Sequence, residues 1–520
     1  MVTMFSLYLP YVDKLVFHPF FLPAILLFVI LYYKSFSSNS GSSKNNAKIL
    51  PPSPPKLPII GNLHQVGLLP HRSLQSLSQK YGKLMLLKMG SKPTLVVSSV
   101  DAAREIMRTN DVNFSNRPKL RVASRLFSNG KDVAFAPYGD YWRQMKSMCV
   151  MQLLSNKKVE SFRRIREEVT LLVVEKLNRS SSSVVNLTEI VMSYTFDVIC
   201  RASFGRKYSK NHDGYGGNNN FEDSMSEAMK LLGTFFLGDF VPGLSWIDRL
   251  TGLEGRLEKV AQQLDSFLEK AIHEEQIHLN TKTNIEDKSF VDILLEVGMN
   301  NRDGLSLDSI KAVVLDMFAA GIDTIYTLVE WVILELLRHP EKMRQVEEEV
   351  RKQMKGKGRR VNDDDLKDLI YLKAVIKEAL RMHPAVPLLV FREALQDTKV
   401  NGFDIDAGTL VIINAWAIQN DPIFWEEPGE FRPERFLNDG SSSSFDFKGQ
   451  DFQYIPFGSG RRSCPGISFG IANAELMIAT LLFEFDLKLP DCEMLNMTEI
   501  AGITVRRRDP LMIIAAPRAF

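Results

Sequence analysis

Phe457-Gly458-Ser459-Gly460-Arg461-Arg462-Ser463-Cys464-Pro465-Gly466 is the stretch on which the reading of this chain turns. It holds one soft ligand, Cys464, flexible glycines at 458, 460 and 466, two arginines and one aromatic ring, Phe457. A thiolate that binds a metal and escapes oxidation needs such shelter: a tight loop, backbone N–H groups aimed at sulfur, and an apolar wall against water. Pro465 suits the first turn of a following helix, and Gly466 allows close packing against a flat group. The loop therefore predicts a metal-binding thiolate at Cys464.

The totals fit an ordinary globular chain with material for a large core. The chain has 520 residues, 45% hydrophobic and 24% charged, with a formal net charge of +2. That balance lacks the basic excess of a nucleic-acid binder. The four cysteines, Cys149, Cys200, Cys464 and Cys492, form no C-x-x-C pair, and His273 and His278 stand five apart. The spacing argues against zinc, and so sparse a cysteine set points to a reducing compartment.

Organisation follows from the N-terminus. Leu15–Tyr33 reads LVFHPFFLPAILLFVILYY. As a helix it is roughly 28 Å long, close to a bilayer core. No small-residue cleavage site follows, so residues 1–34 read as a retained signal anchor. Lys34, Lys44 and Lys48 after the span outnumber Lys14 before it, which places the bulk of the chain on the cytoplasmic side. Residues 35–58 form a polar spacer ending in a stiff proline-rich hinge, Pro51 to Pro58. Residues 59–520 make one domain. The N-x-S/T sequons at Asn113, Asn178, Asn186 and Asn496 are chance matches if that domain is cytosolic.

Within the domain, Leu84–Lys88 and Thr94–Ser99 read as a hairpin. Ser155–Leu177, Phe221–Leu232 and Leu253–Leu279 have helical periodicity; Asp213–Asn220 and Thr281–Lys288 read as connections. Ser306–Arg338 reads as one long helix capped by Ser306, with Pro340 beyond its end. Its middle, Phe318-Ala319-Ala320-Gly321-Ile322-Asp323-Thr324, is poor helix-forming sequence. It fits either close helix packing or a helix opened for a small ligand, with Asp323 and Thr324 handling protons. A further helix, from near Asp365 to His383, carries Glu378 and Arg381. That pair alone is ordinary, but a buried acid shared by two arginines needs both to offset desolvation, and Arg435 is placed to complete the triad. Trp142 and Lys146, within Tyr141–Lys146, put a ring N–H and a cation on one short helical stretch, suited to a carboxylate.

Taken in order, Phe-x-x-Gly-x-Arg-x-Cys-x-Gly (457–466), Ala-Gly-x-Asp-Thr (320–324), Glu-x-x-Arg (378–381) and Phe-x-Pro-Glu-Arg-Phe (431–436) closely resemble the signatures of cytochrome P450 enzymes. Pro58–His64, Phe318–Gly321 and Asn414–Ala417 resemble the plant microsomal family 71 group. The resemblance implies a mostly α fold with a small β region, an N-terminal membrane anchor helix and haem b (iron protoporphyrin IX). It implies Cys464 as the metal ligand and Phe457 and Gly460 as part of the cofactor loop. It implies Trp142, Lys146, Arg392 and Arg462 at the haem propionates, and Asp323 and Thr324 as proton carriers. It implies Glu378, Arg381 and Arg435 as a structural triad, and NADPH electrons from cytochrome P450 reductase on the Cys464 side. The expected enzyme is an endoplasmic-reticulum monooxygenase acting with dioxygen on a small lipophilic plant metabolite.

The chain departs from the family pattern at three positions: Ile325 for Thr or Ser, Lys146 for Arg, and Phe391 for proline. The resemblance places substrate contacts in Leu120–Ala136, Leu231–Val241, Val314–Thr324, Ala385–Phe391 and Ala501–Val505, segments rich in apolar residues. Two alternatives stay open beside hydroxylation or oxidative rearrangement: a haem-thiolate dehydratase or isomerase, such as an aldoxime-dehydrating enzyme, and a non-catalytic electron-transfer haem protein.

Overall fold

Helix Leu307–Arg338 runs through the centre of the molecule, and the other helices stack on it. The computed structural model describes residues 48–180, 183–208, 221–278, 288–300, 305–356, 360–437, 440–490 and 496–518. The expected anchor Leu15–Tyr33, Cys492 and most of the spacer and of the two polar connections lie outside these residues.

The central helix starts as its sequence demands. Ser306 is extended, with φ −66° and ψ 151°, and its Oγ accepts the Ser309 N–H at 3.2 Å. That satisfies one of the N–H groups left without a partner in the first turn. Helix Leu187–Phe204 packs on one side of it and helix Ile467–Glu484 on another. At Gly321 an added Cβ would lie 2.5 Å from Ile199 Cδ1, so a larger residue would have to displace the Ile199 side chain of the first of these helices. Leu307–Arg338 and Ile467–Glu484 are both long and apolar enough to cross a membrane, yet both are packed inside the fold.

The β structure is small. Leu84–Met89 pairs antiparallel with Lys92–Val97, which pairs in parallel with Leu410–Ile413, itself closed by Arg392–Glu393. The hairpin turn is tighter than the sequence suggests. Pro93 lies within the second strand, just before Thr94, where pairing to the third strand begins, so its missing N–H costs no inner ladder bond. A second antiparallel hairpin, Glu499–Ala501 with Val505–Arg507, lies against the central helix.

Two predicted helices are each divided. Ser155–Leu177 becomes Asn156–Ser161 and Arg163–Arg179, separated at Phe162. Buried Phe162 meets Phe290 and Phe469 edge-on, which holds the chain there as a corner. Asp365–His383 becomes a short 3₁₀ turn, Asp365–Asp368, and helix Ile370–Met382, with buried Leu369 at the junction.

Candidate active site

Cys464 sits in a loop held by its own backbone. The Cys464 N–H donates to Phe457 O at 3.0 Å, and the Gly466 N–H donates to Cys464 Sγ at 3.4 Å. Gly458 and Gly460 have φ of +68° and +70°, a region costly for other residues. At Gly460 a Cβ would stand 2.0 Å from Met107 O, so only glycine lets the loop approach that helix. Phe457 is half-buried and meets Phe447 edge-on at 5.8 Å. Burial pushes the Cys464 thiol up, while the Gly466 N–H and the Lys146 ammonium pull it down.

Behind the loop lies a buried ion cluster. Glu378 receives Arg381 at both oxygens, each at 2.8 Å, and Arg435 Nε at 3.1 Å. The Arg432 N–H adds a fourth bond at 3.0 Å. Glu378 and Arg381 have no solvent exposure, and one carboxylate shared by two guanidiniums avoids an uncompensated buried charge. Gln419 joins this cluster to the loop: its amide donates to Leu380 O and Arg381 O at 3.0 Å, and its Oε1 accepts the Ile455 N–H at 2.9 Å.

On the other side the cations crowd together. Arg462 donates to the carbonyls of Ser115, Val133 and Ala136 and lies over the Trp142 ring at 4.0 Å. Trp142 Nε1 donates to Val133 O at 3.0 Å and Lys146 Nζ to Ser463 O at 2.5 Å. Arg392 holds Asp111 Oδ1 at 3.1 Å and Ser459 O at 3.0 Å. Arg117, which the sequence reading did not single out, joins them and bonds Phe391 O at 2.7 Å. No local signal marks it; its partners at Val390 and Phe391 lie far along the chain.

Burial and mutual repulsion act on all these cations. Burial, then Arg392, hold Arg462 down to about 9. Burial is also the main cause for Lys146, at about 8. Arg117 is lowered by burial and by Arg462 and Arg392. Four cations thus share a field in which Asp111 and Asp132 are the acids acting on the arginines. Such a site gains from a bound dianion that replaces backbone carbonyls as acceptor.

The distal face is open. Between Ser309 and Leu336 of the central helix, Ala320 alone is exposed, so the helix borders an internal space there. Thr324 Oγ1 donates back to Ala320 O, the hydrogen bond expected of a hydroxyl four residues along a helix. Asp323 turns the other way, accepting Thr504 Oγ1 at 3.4 Å. Ile325 faces Gly470 in the helix that follows the cysteine loop, so the Asp323-Thr324 step and that loop are held by one helix contact.

Four of the five apolar segments close into a circuit, and the fifth hangs from it. The Arg121 N–H donates to Asp239 at 3.2 Å, joining 120–136 to 231–241. Gly233 abuts the Gly502 backbone, where a Cβ would lie 2.6 Å away, joining 231–241 to 501–505. Val505 N–H donates to Ala385 O at 2.8 Å, and Asp316 Oδ2 accepts the Val133 N–H at 2.6 Å. With Thr504 on Asp323, segments 120–136, 231–241, 501–505 and 314–324 form a closed ring, and 385–391 is tied to it through Val505.

A single half-buried thiol, an exposed Ala320 on an otherwise covered helix and a buried cation cluster suit a metal porphyrin with two carboxylates. The donor set lacks any competing centre: no group of three His, Cys, Asp or Glu able to hold a metal occurs among the described residues.

Comparison with known proteins gives the same class. The family model described as Cytochrome P450 matches residues 51–514. Cytochrome P450 71A4 of Solanum melongena is 47% identical over 505 residues, 95% of this chain and 97% of the relative. Norfluorocurarine oxidase of a Strychnos species is 46% identical over 507 residues, 95% and 96% of the two chains. A solved zebra fish cytochrome P450 with abiraterone superposes with TM-score 0.73 at 26% identity, covering 86% of this chain and all of that one.

Proposed function

This chain belongs to the cytochrome P450 family, and from that premise we propose that it hydroxylates or oxidatively rearranges a lipophilic plant specialised metabolite, a terpenoid, alkaloid or phenolic. The observation that carries the reading is the paired Asp323 and Thr324 at the exposed turn of the central helix, ringed by apolar segments. The plant relative named an oxidase of norfluorocurarine supports a carbon-rich substrate.

Cytochrome P450 enzymes are oxidoreductases that carry haem b and receive NADPH-derived electrons through a reductase. Bound haem supplies dioxygen activation at its iron. In our reading Cys464 Sγ is the protein ligand, and the Gly466 N–H aimed at sulfur tempers its charge. Trp142, Lys146, Arg392 and Arg462, with Arg117, would hold the two propionates of bound haem. Phe457 keeps water from the sulfur, and Gly460 lets the loop close. Thr324 Oγ1 is poised to pass a proton inward once it leaves Ala320 O, and Asp323, after taking up a proton from solvent, is the carboxyl that resupplies it and returns to the carboxylate. The apolar circuit orients substrate by shape, with few polar contacts. Glu378, Arg381 and Arg435 keep the cysteine loop in register.

We further propose that Leu15–Tyr33 is a single-pass anchor in the endoplasmic reticulum membrane, with residues 59–520 cytosolic. Cytochrome P450 reductase then docks on the Cys464 side. The test is NADPH and dioxygen consumption with reductase present, across a lipophilic library screened by the haem spin-state shift. Dioxygen-dependent product from a binding compound supports the reading. Turnover that persists without dioxygen and in Thr324→Ala would replace it with a dehydratase or isomerase.

A further inference from the structure

The hairpin Glu499–Ala501/Val505–Arg507 does more than wall the substrate space. Its turn presses on Gly233, where no Cβ fits, and its second strand hangs from Ala385 O through the Val505 N–H. Both of these contacts lie in segments proposed above to meet substrate. Its inner face is polar. Thr504, 5% exposed, donates to Asp323 Oδ2 at 3.4 Å. Arg506 Nη1 donates to the hydroxyl of Tyr326, which is fully buried, at 2.9 Å. Arg507 Nη1 lies 4.0 Å from Glu330 Oε1.

Asp323, Tyr326 and Glu330 are spaced three and four residues apart, so they form one stripe along the central helix. The hairpin therefore sets two consecutive arginines and a hydroxyl against that stripe. Thr504 and Arg506 are the groups that favour the charged form of Asp323 against its burial. Burial is the largest single influence on Arg506 and disfavours its charge, but Tyr326, Asp323 and Glu330 together outweigh it. Apolar substrate recognition alone requires none of these charges.

We infer that Thr504 and Arg506 are positioning residues for Asp323, so that the hairpin which senses substrate through Gly233 and Ala385 also sets where the proton-carrying carboxylate points. This rests on the proposed role of Asp323 in proton supply. The hairpin is then a coupling element. A substrate that seats the turn keeps Asp323 held, and a hairpin that shifts releases it.

The test uses full-length holoprotein with reductase. The Asp323 carboxyl is titrated by infrared difference spectroscopy, its band identified by loss in Asp323→Asn. Arg506→Gln, still folded and cysteine-ligated by its reduced carbon-monoxide spectrum, should move that titration to higher pH, because the cation favouring the charged form is gone. Arg506→Lys should restore it. The solvent isotope effect on NADPH oxidation and the fraction of electrons lost to peroxide should rise severalfold in Arg506→Gln and return in Arg506→Lys. Should Arg506→Gln fail to fold, Thr504→Val carries the test, with a smaller shift in the same direction. An unchanged Asp323 titration in these variants overturns the inference, since a merely structural hairpin alters substrate affinity and leaves the carboxyl where it was. Full coupling in Asp323→Asn overturns instead the proton-supply reading on which the inference stands.

Discussion

Asp316 Oδ2 accepts the backbone N–H of Val133 at 2.6 Å, a bond that fastens the roof of the active site to the central helix across 183 residues of chain. The same Val133 offers its carbonyl to Trp142 and Arg462. Next to it Asp132, fully buried, accepts the Phe135 N–H at 2.7 Å. The roof thus rests on two buried acids, and burial raises both.

That arrangement predicts a pH dependence of stability. Asp132 is pushed from 3.8 to about 6. The folded state then binds its proton more tightly than the unfolded chain, so the contribution is complete below pH 3.8 and lost as pH rises through about 6. In Asp132→Asn this loss should shrink, with Asp316 left to titrate alone, and thermal midpoints measured between pH 4 and 7 should flatten relative to the parent. An equal slope in both proteins would show that Asp132 does not titrate in that range.

The triad predicts an asymmetric mutational response. Glu378→Ala leaves Arg381 and Arg435 buried without their shared acceptor and should cost about 3–5 kcal/mol. Arg432 touches Glu378 only through its backbone N–H, so Arg432→Ala should cost less than about 1 kcal/mol. Denaturant unfolding of the haem-loaded proteins measures both. Because Gln419 passes the triad's position to Ile455, Glu378→Ala should also lose haem more readily.

Gly460 and Arg117 test the loop and the cation cluster separately. Gly460→Ala meets both a positive φ and Met107 O, so strain above the usual ~1–3 kcal/mol should displace the loop and abolish cysteine ligation. Arg117→Leu keeps the loop but removes one charged donor. Haem transfer to an apoprotein acceptor should quicken about tenfold to a hundredfold, the scale of a charged hydrogen bond. An unchanged transfer rate would remove Arg117 from the propionate site.

Much of this was legible in the residues. The cap at Ser306, the length of the central helix and the Phe221–Leu232 helix follow from local periodicity and capping, which act over a few residues. Glu378, Arg381 and Arg435 could be grouped because a buried acid needs partners. The breaks at Phe162 and Leu369 were hidden, since both are apolar residues that fit a helical stripe and turn the chain only through contacts made far away in sequence. Arg117, Asp132, Asp316 and Arg506 were missed for a related reason. Each is an ordinary charged residue locally, and each acquires its role from a partner more than 150 positions away. Asp323 shows both sides: its place on the central helix was visible in the sequence, its attachment to Thr504 was not.

The central claim is that Cys464 is the haem ligand. The direct measurement is the reduced carbon-monoxide difference spectrum of the full-length protein beside Cys464→Ala. The account predicts the thiolate-type band in the parent and its loss in Cys464→Ala; a thiolate-type band that survives in Cys464→Ala would contradict it.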